Sequence, residues 1–202
     1  VGWPFSKNST DFVPGIVPPA ERIDTLRELG RRAGQAEPAE RETISGDLAA
    51  MYEREEDPLI RSEIVRAIGG YPTRSGALVL ESAMGDPDSD VRLAACEAWG
   101  RRRGPESIDA LTTALSSDLD IDVRMAAARA LGETGDPSAV GALGNILEDR
   151  DPALQHQAVV SLRKCSDEDL GNDVNRWHQY VRGETPDPPR SISVAERIEQ
   201  VF

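Results

Sequence analysis

Apolar residues in the middle of the chain recur every three or four positions. The clearest stretch is DVRLAACEAWG at residues 90–100, and a near copy, DVRMAAARALG, occupies residues 122–132. The apolar positions of the first copy are Val91, Ala94, Ala95, Ala98 and Trp99. On an α-helix this spacing forms one stripe, which is typical of a helix that buries one face. The pattern therefore predicts two equivalent amphipathic helices.

The two copies belong to a longer series. Val91 and Val123 are 32 residues apart, and Ile60 lies 31 residues before Val91. Leu154 lies 31 residues after Val123. A period of about 20 to 50 residues indicates a solenoid, whose units bury their apolar faces by stacking on each other. A second helix follows each of the first three phrases, at residues 75–84, 105–115 and 137–147, so we predict helical hairpins repeated through residues 57–165.

Turn residues mark the ends of these helices. An Asp-rich turn that often carries proline precedes each first helix, because Asp accepts the free N–H groups of a first turn and proline is tolerated there. Gly69, Gly100 and Gly132 follow the apolar stripes. We expect each of these glycines to form a left-handed C-terminal cap. Gly141 and Gly144 are spaced to admit a neighbouring helix or the backbone of a partner.

The flanking sequence completes the domain plan. Residues 1–18 form an extended Pro-rich segment, and residues 19–182 form the solenoid. Within the solenoid, residues 19–56 are cap helices, residues 57–165 are the repeats and residues 166–182 are a C-terminal cap helix. A Pro-rich linker at 183–192 leads to a short amphipathic helix at 193–202. So short a helix needs a docking surface, which is either its own solenoid or a second molecule.

Composition narrows the class and the partners. The 202 residues include 36 acidic and 23 basic side chains, for a net charge of −13, so the chain repels nucleic acid. Aromatic residues make up only 4%, and abundant alanine favours an all-α fold. Cys96 and Cys165 fall on helical patterns, which favours buried thiols over a redox pair. No apolar run approaches the length of a membrane span. Since a signal peptide or lipobox could have preceded Val1, the compartment stays open between the cytoplasm and the cell envelope.

One segment carries a family resemblance. DVRMAAARALGETGDPSAVGALGNIL at residues 122–147 resembles the short HEAT-like repeats that are also found in phycobilin lyases, and the likeness extends over residues 57–162. The resemblance implies an α-solenoid in which paired helices form a right-handed superhelix. The second helices would line its concave side, and its usual work would be to hold other macromolecules. The flanking segments are similar to those of bacterial HEAT-repeat proteins of unassigned role.

The same resemblance implies a ladder of charges between successive repeats. In such repeats the Asp and Arg of the D-V-R step pair from one unit to the next. The residues that match are Arg61, Asp90, Arg92, Asp122 and Arg124. The fourth repeat departs from the pattern, because Gln155 stands where arginine is expected. A ladder that stops there fits the end of a stack.

Candidate catalytic chemistry is sparse. His156 and His178 are each followed by Gln rather than Glu, which excludes the His-Glu iron ligands of HEAT-repeat hydroxylases. The basic run at residues 101–103 is interpreted as a solvated loop that complements a helix C-terminus. No Walker-type loop or nucleophile elbow is present. We therefore expect a protein without catalytic residues, metal or cofactor.

The exposed faces of the second helices supply the candidate binding site. The side chains placed there are Glu81, Asp109, Thr112, Thr113 and Asn145. Such a surface is neutral to acidic and favours a basic or amphipathic protein or peptide partner. We predict a non-catalytic interaction scaffold, and the alternative from the family resemblance is an enzyme or enzyme subunit like the bilin lyases. The oligomeric state stays open.

Overall fold

The computed structural model describes residues 17–166 and 168–188, and in these ranges it contains helices, turns and no strand. The all-α prediction is therefore confirmed. The helices are α1 (Pro19–Arg32), α2 (Pro38–Tyr52), α3 (Pro58–Ile68), α4 (Arg74–Ala83), α5 (Ser89–Arg102), α6 (Pro105–Ser117), α7 (Ile121–Thr134), α8 (Val140–Asn145), α9 (Pro152–Cys165) and α10 (Val174–Val181). Short 3-10 turns, Pro137–Ala139 and Ile146–Glu148, flank α8. The predicted N-terminal segment, up to residue 16, and the predicted C-terminal helix lie outside the described residues.

The first helices of the repeats keep the predicted period. Helices α3, α5, α7 and α9 begin at residues 58, 89, 121 and 152, so successive starts are 31 or 32 residues apart. Asp57, Asp120 and Asp151 each accept a hydrogen bond from the backbone N–H two positions later. These carboxylates satisfy N–H groups that the first turn of a helix leaves free. The Asp-rich turns therefore act as N-caps, as predicted.

The described chain falls into two compact units, one within Val1–Arg102 and the other within Arg103–Phe202. In the first unit α1, α3 and α5 pack in sequence, and α2 packs beside α4. The hairpin of α1 and α2 thus takes the place of a further repeat although it lacks the repeat phrase. Two hydrogen bonds fasten it: Tyr71 Oη donates to the Leu29 carbonyl at 2.8 Å, and Thr73 Oγ1 donates to Ser45 Oγ at 2.8 Å.

The second unit is built in the same way. Helix α7 packs on α9, and α8 lies between α6 and α10. Its fully buried side chains include Leu131 of α7, Leu154 of α9 and Trp177 of α10. First helices pack on first helices and second helices on second helices in each unit, which is the arrangement of an α-solenoid. Of the predicted cap helix at 166–182, only Val174–Val181 is helical, after an N-cap at Asp173.

The three glycines predicted as left-handed caps do not adopt the left-handed conformation. Gly69 has φ −57°, while Gly100 and Gly132 lie inside α5 and α7. A Cβ on Gly132 would lie 2.7 Å from the Cβ of Ser161 on α9. The left-handed residue that ends α7 is Gly135, with φ 66°. The cap prediction was wrong because a glycine near the end of a helical pattern can equally serve to bring two helices together.

Gly144 also allows a close helix approach, as its spacing suggested. A Cβ at this position would lie 2.4 Å from Cγ1 of Val181, so glycine lets α10 rest directly on α8. Gly141 differs, because a Cβ there would meet no heavy atom within 4 Å. Among the described residues, no helix is long and apolar enough to cross a membrane.

Candidate functional site

An open groove of about 750 Å³ lies between α6 and the α8 region of the second unit. Helix α6 lines it with Asp109, Thr112 and Thr113. The facing wall carries Ser138, Ala142 and Asn145. The structure therefore brings together four of the five residues that the sequence placed on the binding face.

The two-sided character of α6 explains how the groove forms. Leu111 and Leu115 turn inward and are at most 1% exposed, which fixes the orientation of the helix. Thr112 and Thr113 follow Asp109 by three and four residues. The three polar side chains therefore share one side of α6, away from Leu111 and Leu115. Ile108 lies at the boundary between the two sides, is 8% exposed and forms an apolar floor with Pro105.

The α8 wall is made of small side chains. Ser138, Ala142 and Asn145 follow each other at intervals of four and three residues, so they form one face. Gly141 is exposed on the same short helix, between this face and Gly144. Because none of these side chains is bulky, the α8 wall leaves the groove open to solvent.

Hydrogen-bonding groups on the rim of the groove are available to a ligand. Thr113 Oγ1 donates to the Asp109 carbonyl at 2.9 Å, so that hydroxyl proton is already used. The side chains of Asp109, Thr112 and Asn145 make no hydrogen bond or ion pair to another residue in the described ranges. Asp109 is the one charged residue of this lining. The groove therefore combines an apolar floor with one carboxylate and several neutral polar groups.

Glu81, the fifth predicted residue, lies elsewhere. It is exposed on α4, which belongs to the first unit, and Leu78 on the same helix is 56% exposed. The sequence analysis missed Pro105, Ile108, Ser138 and Ala142, which complete the groove. Helical spacing from Thr112 and Asn145 points to three of them, because Ile108 lies four residues before Thr112 and Ser138 and Ala142 lie seven and three before Asn145.

The arginines of the implied ladder form ion pairs at the junctions of the hairpins. Arg61 Nε and Nη2 lie 2.9 Å from Oδ2 and Oδ1 of Asp86, a bidentate pair. Arg124 Nη2 lies 2.5 Å from Oδ2 of Asp149. Both arginines reach the aspartate that precedes the next first helix. Each guanidinium thus ties its own first helix to the turn that follows its hairpin.

The aspartates that receive these arginines differ from those implied by the resemblance. Asp90 and Asp122 are exposed in first turns, and each donates its backbone N–H to the aspartate two positions earlier. Their side chains pair with neither Arg61 nor Arg124, whereas Asp86 and Asp149, which lie in the turns, do. Arg92 Nη1 donates to the Asp86 carbonyl at 2.9 Å, and Gln155 Nε2 donates to the Asp149 carbonyl at 2.7 Å. Gln155 therefore keeps this carbonyl contact without a charge.

The charge environment of these junctions shifts several pKa values. Burial would raise the pKa of Asp86, but hydrogen bonds from Arg61 and the Asp88 backbone outweigh it, so the pKa lies below its ordinary value. Tyr52 Oη donates to Asp86 Oδ2 at 3.1 Å, and burial followed by the Asp86 charge raises the pKa of Tyr52 to about 12. The backbone N–H of Asp151, then Arg124, lowers the pKa of Asp149. These groups are structural rather than poised for proton transfer.

Other candidate groups have structural partners too. Arg102 lies over the Trp99 ring at 5.7 Å and donates to the carbonyls of Tyr71 and Thr73 at 3.0 and 3.1 Å. It is therefore fixed, and the interpretation of residues 101–103 as a solvated loop was wrong for Arg102.

No group of His, Cys, Asp and Glu that could hold a metal ion occurs in residues 17–166 and 168–188.

The stacked hairpins, the capped turns and the groove between second helices define a helical repeat protein of the α-solenoid class. The family model described as HEAT repeats matches residues 47–121 and 111–172. The chain belongs to the HEAT-repeat family, as its repeat phrase indicated.

Two solved structures extend the comparison of folds. The complex of CpcE and CpcF of phycocyanin lyase from Nostoc sp. PCC7120 is similar over 91% of this chain and 81% of that chain, with a TM-score of 0.58 and 19% sequence identity. An engineered protein is similar over 72% of this chain and 73% of that chain, with a TM-score of 0.47 and 20% identity. No curated protein matches the sequence.

Proposed function

We propose that this protein is a non-catalytic scaffold that binds a segment of another protein, or a peptide, in the groove between α6 and α8. One observation carries the proposal: an apolar floor at Ile108 is bordered by Asp109, Thr112 and Asn145, whose side chains make no hydrogen bond or ion pair to another residue in the described chain. Concave apolar surfaces with a few polar groups are the usual form of a binding site. HEAT repeats, which offer a preformed helical surface, support the same function.

The preferred partner is a basic, amphipathic segment. Its apolar side chains would rest on Ile108 and Ala142, and a lysine or arginine would reach Asp109. The net charge of −13 would speed the approach of such a partner and repel an acidic one. A helix would suit the groove, because helix-in-groove recognition uses apolar anchors at helical spacing.

An enzymatic role is the second candidate. The complex of CpcE and CpcF of phycocyanin lyase is similar in fold over 91% of this chain. A shared fold at 19% sequence identity does not imply a shared activity. The two roles are separated by mixing the purified protein with a bilin and a cysteine-bearing acceptor protein. A scaffold leaves the bilin spectrum unchanged over time. Covalent attachment, seen as a stable spectral shift that survives denaturation, would show that the protein acts as a lyase and not as a scaffold alone.

The binding proposal is tested by selecting peptides on the immobilised full chain from a random display library. The expected peptides are basic and amphipathic. Replacing Asp109 by lysine should weaken the best of them by about tenfold, equivalent to about 1.4 kcal/mol, because it turns the attraction into repulsion. Isothermal titration calorimetry measures the change in Kd.

Asp122→Lys is the matched control. Asp122 is equally an exposed aspartate of the second unit, but it lies in the first turn of α7, away from the groove lining. It should leave Kd within about twofold. An equal loss in both variants would show that the peptide responds to overall charge, and acidic selected peptides would contradict the proposed partner.

A further inference from the structure

Helix α4 of the first unit exposes the repeat positions that line the groove in the second unit. Helices α4 and α6 begin at residues 74 and 105, which are 31 residues apart. Leu78 and Glu81 of α4 therefore correspond to Asp109 and Thr112 of α6, which line the groove. Each unit thus turns the equivalent side of a second helix toward solvent.

The packing of α4 leaves a leucine on this exposed side. Leu80 is fully buried, whereas Leu78 is 56% exposed. Glu81 is also exposed, and because it follows Leu78 by three residues the two side chains share one side of the helix. The repeat does not require leucine at this position, since the equivalent residues are Asp109 in α6 and Gly141 in α8. The apolar side chain therefore serves something other than the fold of the hairpin.

Helix α2 lies parallel to α4 and is held to it near both ends. Thr73 Oγ1, at the start of α4, donates to Ser45 Oγ at 2.8 Å. Tyr52 Oη, at the end of α2, donates to Oδ2 of Asp86, which follows α4, at 3.1 Å. The two helices therefore run side by side in the same direction over this length.

Between these two contacts α2 offers small exposed residues. Ala50 lies five residues after Ser45, and Leu78 lies five residues after Thr73, so the common rise of the helices brings Ala50 and Leu78 to the same level. Gly46, one turn before Ala50, is exposed too, and a Cβ there would meet no heavy atom within 4 Å. A partner helix would therefore reach Leu78 without meeting a bulky side chain on these positions of α2.

The exposed charges of α2 and α4 are mostly acidic. Both helices lie within the described residues, and Arg74 is the one basic residue of the two that is exposed. The exposed acidic residues are Glu40, Glu42 and Asp47 of α2 and Glu81 of α4. Four carboxylates against one guanidinium attract a basic partner and repel an acidic one.

We infer that the α2–α4 face, made of Gly46, Ala50, Leu78 and Glu81, binds a basic, amphipathic helix of a partner protein. Leu78 is the apolar anchor for the stripe of that helix, and Glu81 accepts a hydrogen bond from its lysine or arginine. The face belongs to the first unit and shares no residue with the α6–α8 groove, so the inference does not depend on the function of the groove. The protein then has two binding surfaces, one in each unit.

Selection of peptides from a random display library on the immobilised full-length Asp109→Lys variant tests the inference, because this substitution weakens the groove. The expected peptides are basic and amphipathic. Adding Leu78→Asp to the same chain should weaken the best peptide by at least about tenfold, because the apolar anchor is lost. The new aspartate also adds a negative charge, so attraction by charge alone would strengthen binding instead. Isothermal titration calorimetry measures Kd.

Glu81→Lys, in the same chain, should also weaken this peptide by about tenfold, because it places a positive charge against the basic partner. Glu21→Lys is the matched control, since Glu21 is an exposed glutamate of the same unit on the first helix α1, and it should leave Kd within about twofold. The melting temperature should stay that of the parent chain in all three variants, because the substituted side chains are exposed.

Four results would overturn the inference. They are a selection that yields no peptide, a selection that yields acidic peptides, unchanged or tighter binding in Leu78→Asp, and equal losses in Glu81→Lys and Glu21→Lys. If the wild type still selects peptides that depend on Asp109, the groove binds partners and the α2–α4 face does not. Peptides that depend on Leu78, together with wild-type peptides that ignore Asp109→Lys, would instead retain the α2–α4 face and contradict the proposed groove.

Discussion

Single side chains decide how the hairpins are joined. Asp86 accepts hydrogen bonds from Arg61 and from Tyr52, and its side chain is only 5% exposed. The carboxylate thereby links α2, α3 and the turn before α5. Arg124 and Asp149 repeat the pair in the second unit with more exposed side chains. The pair of Arg61 and Asp86 is therefore the better place to measure how much these ion pairs contribute to the free energy of unfolding.

Asp86→Asn should lower the free energy of unfolding by about 1.5–3 kcal/mol at pH 6, the range for hydrogen bonds to charged groups. The pKa of Asp86 is lowered in the folded state, so its contribution is present above the unfolded-state pKa of about 3.9 and is lost as pH falls through the lower folded-state value. The difference between wild type and variant should shrink by pH 3. Urea unfolding at both pH values measures it, and a constant difference would contradict this role of the charge.

The partners in the ladder show what the sequence could and could not predict at this scale. The resemblance identified Arg61 and Arg124 as ladder residues, but it assigned the acidic role to Asp90 and Asp122. Each turn holds several aspartates two residues apart, and the sequence does not reveal which one points toward the junction. Side-chain direction, set by the backbone of the turn, decides that Asp86 and Asp149 receive the arginines.

At the scale of helices, the positions of the smallest side chains decide where two helices pack closely. Ser161 Oγ of α9 donates to the Ala128 carbonyl of α7 at 2.8 Å, which requires the two helices to lie close together. Gly132 supplies the space one turn further along. The sequence predicted the helices and their period well, because both depend on local spacing. It could not separate a capping glycine from a packing glycine, since that depends on the neighbouring helix.

Gly132→Ala should destabilise the protein by about 1–3 kcal/mol, the usual cost of overpacking, because its Cβ would lie 2.7–2.8 Å from atoms of Ser161 that include the backbone Cα. Gly141→Ala, its counterpart on α8, should be neutral or stabilising by up to about 1 kcal/mol. Thermal and urea unfolding of the two variants measure the contrast. Equal effects would mean that α7 and α9 do not approach at Gly132.

At the scale of the whole molecule, stability and binding belong to different surfaces. The first helices carry the alanine-rich stripes that bury each other, and the second helices of the second unit leave a groove. The sequence predicted the family, the helical hairpins and four of the groove residues. It did not predict which residues form the apolar floor, because the groove depends on how α8 lies against α6. Nor could it show that Glu81 lies in the other unit.

Leu131→Ala should lower the free energy of unfolding by about 2–5 kcal/mol, because Leu131 is fully buried and the truncation leaves a cavity. Thr112→Ala, at the edge of the groove, should change it by less than about 0.5 kcal/mol. Urea unfolding of both variants measures the difference. If the two losses prove equal, the core and the binding faces have been assigned to the wrong sides of these helices.

The affinity of a selected peptide for the Thr112→Arg variant, determined together with its melting temperature, tests the central claim most directly. An arginine at this position would fill the groove and place a positive charge beside Asp109. We predict that Kd rises by at least about tenfold while the melting temperature stays that of the wild type. An unchanged Kd would contradict the assignment of the groove as the binding surface, and a large fall in melting temperature would show that Thr112 belongs to the core.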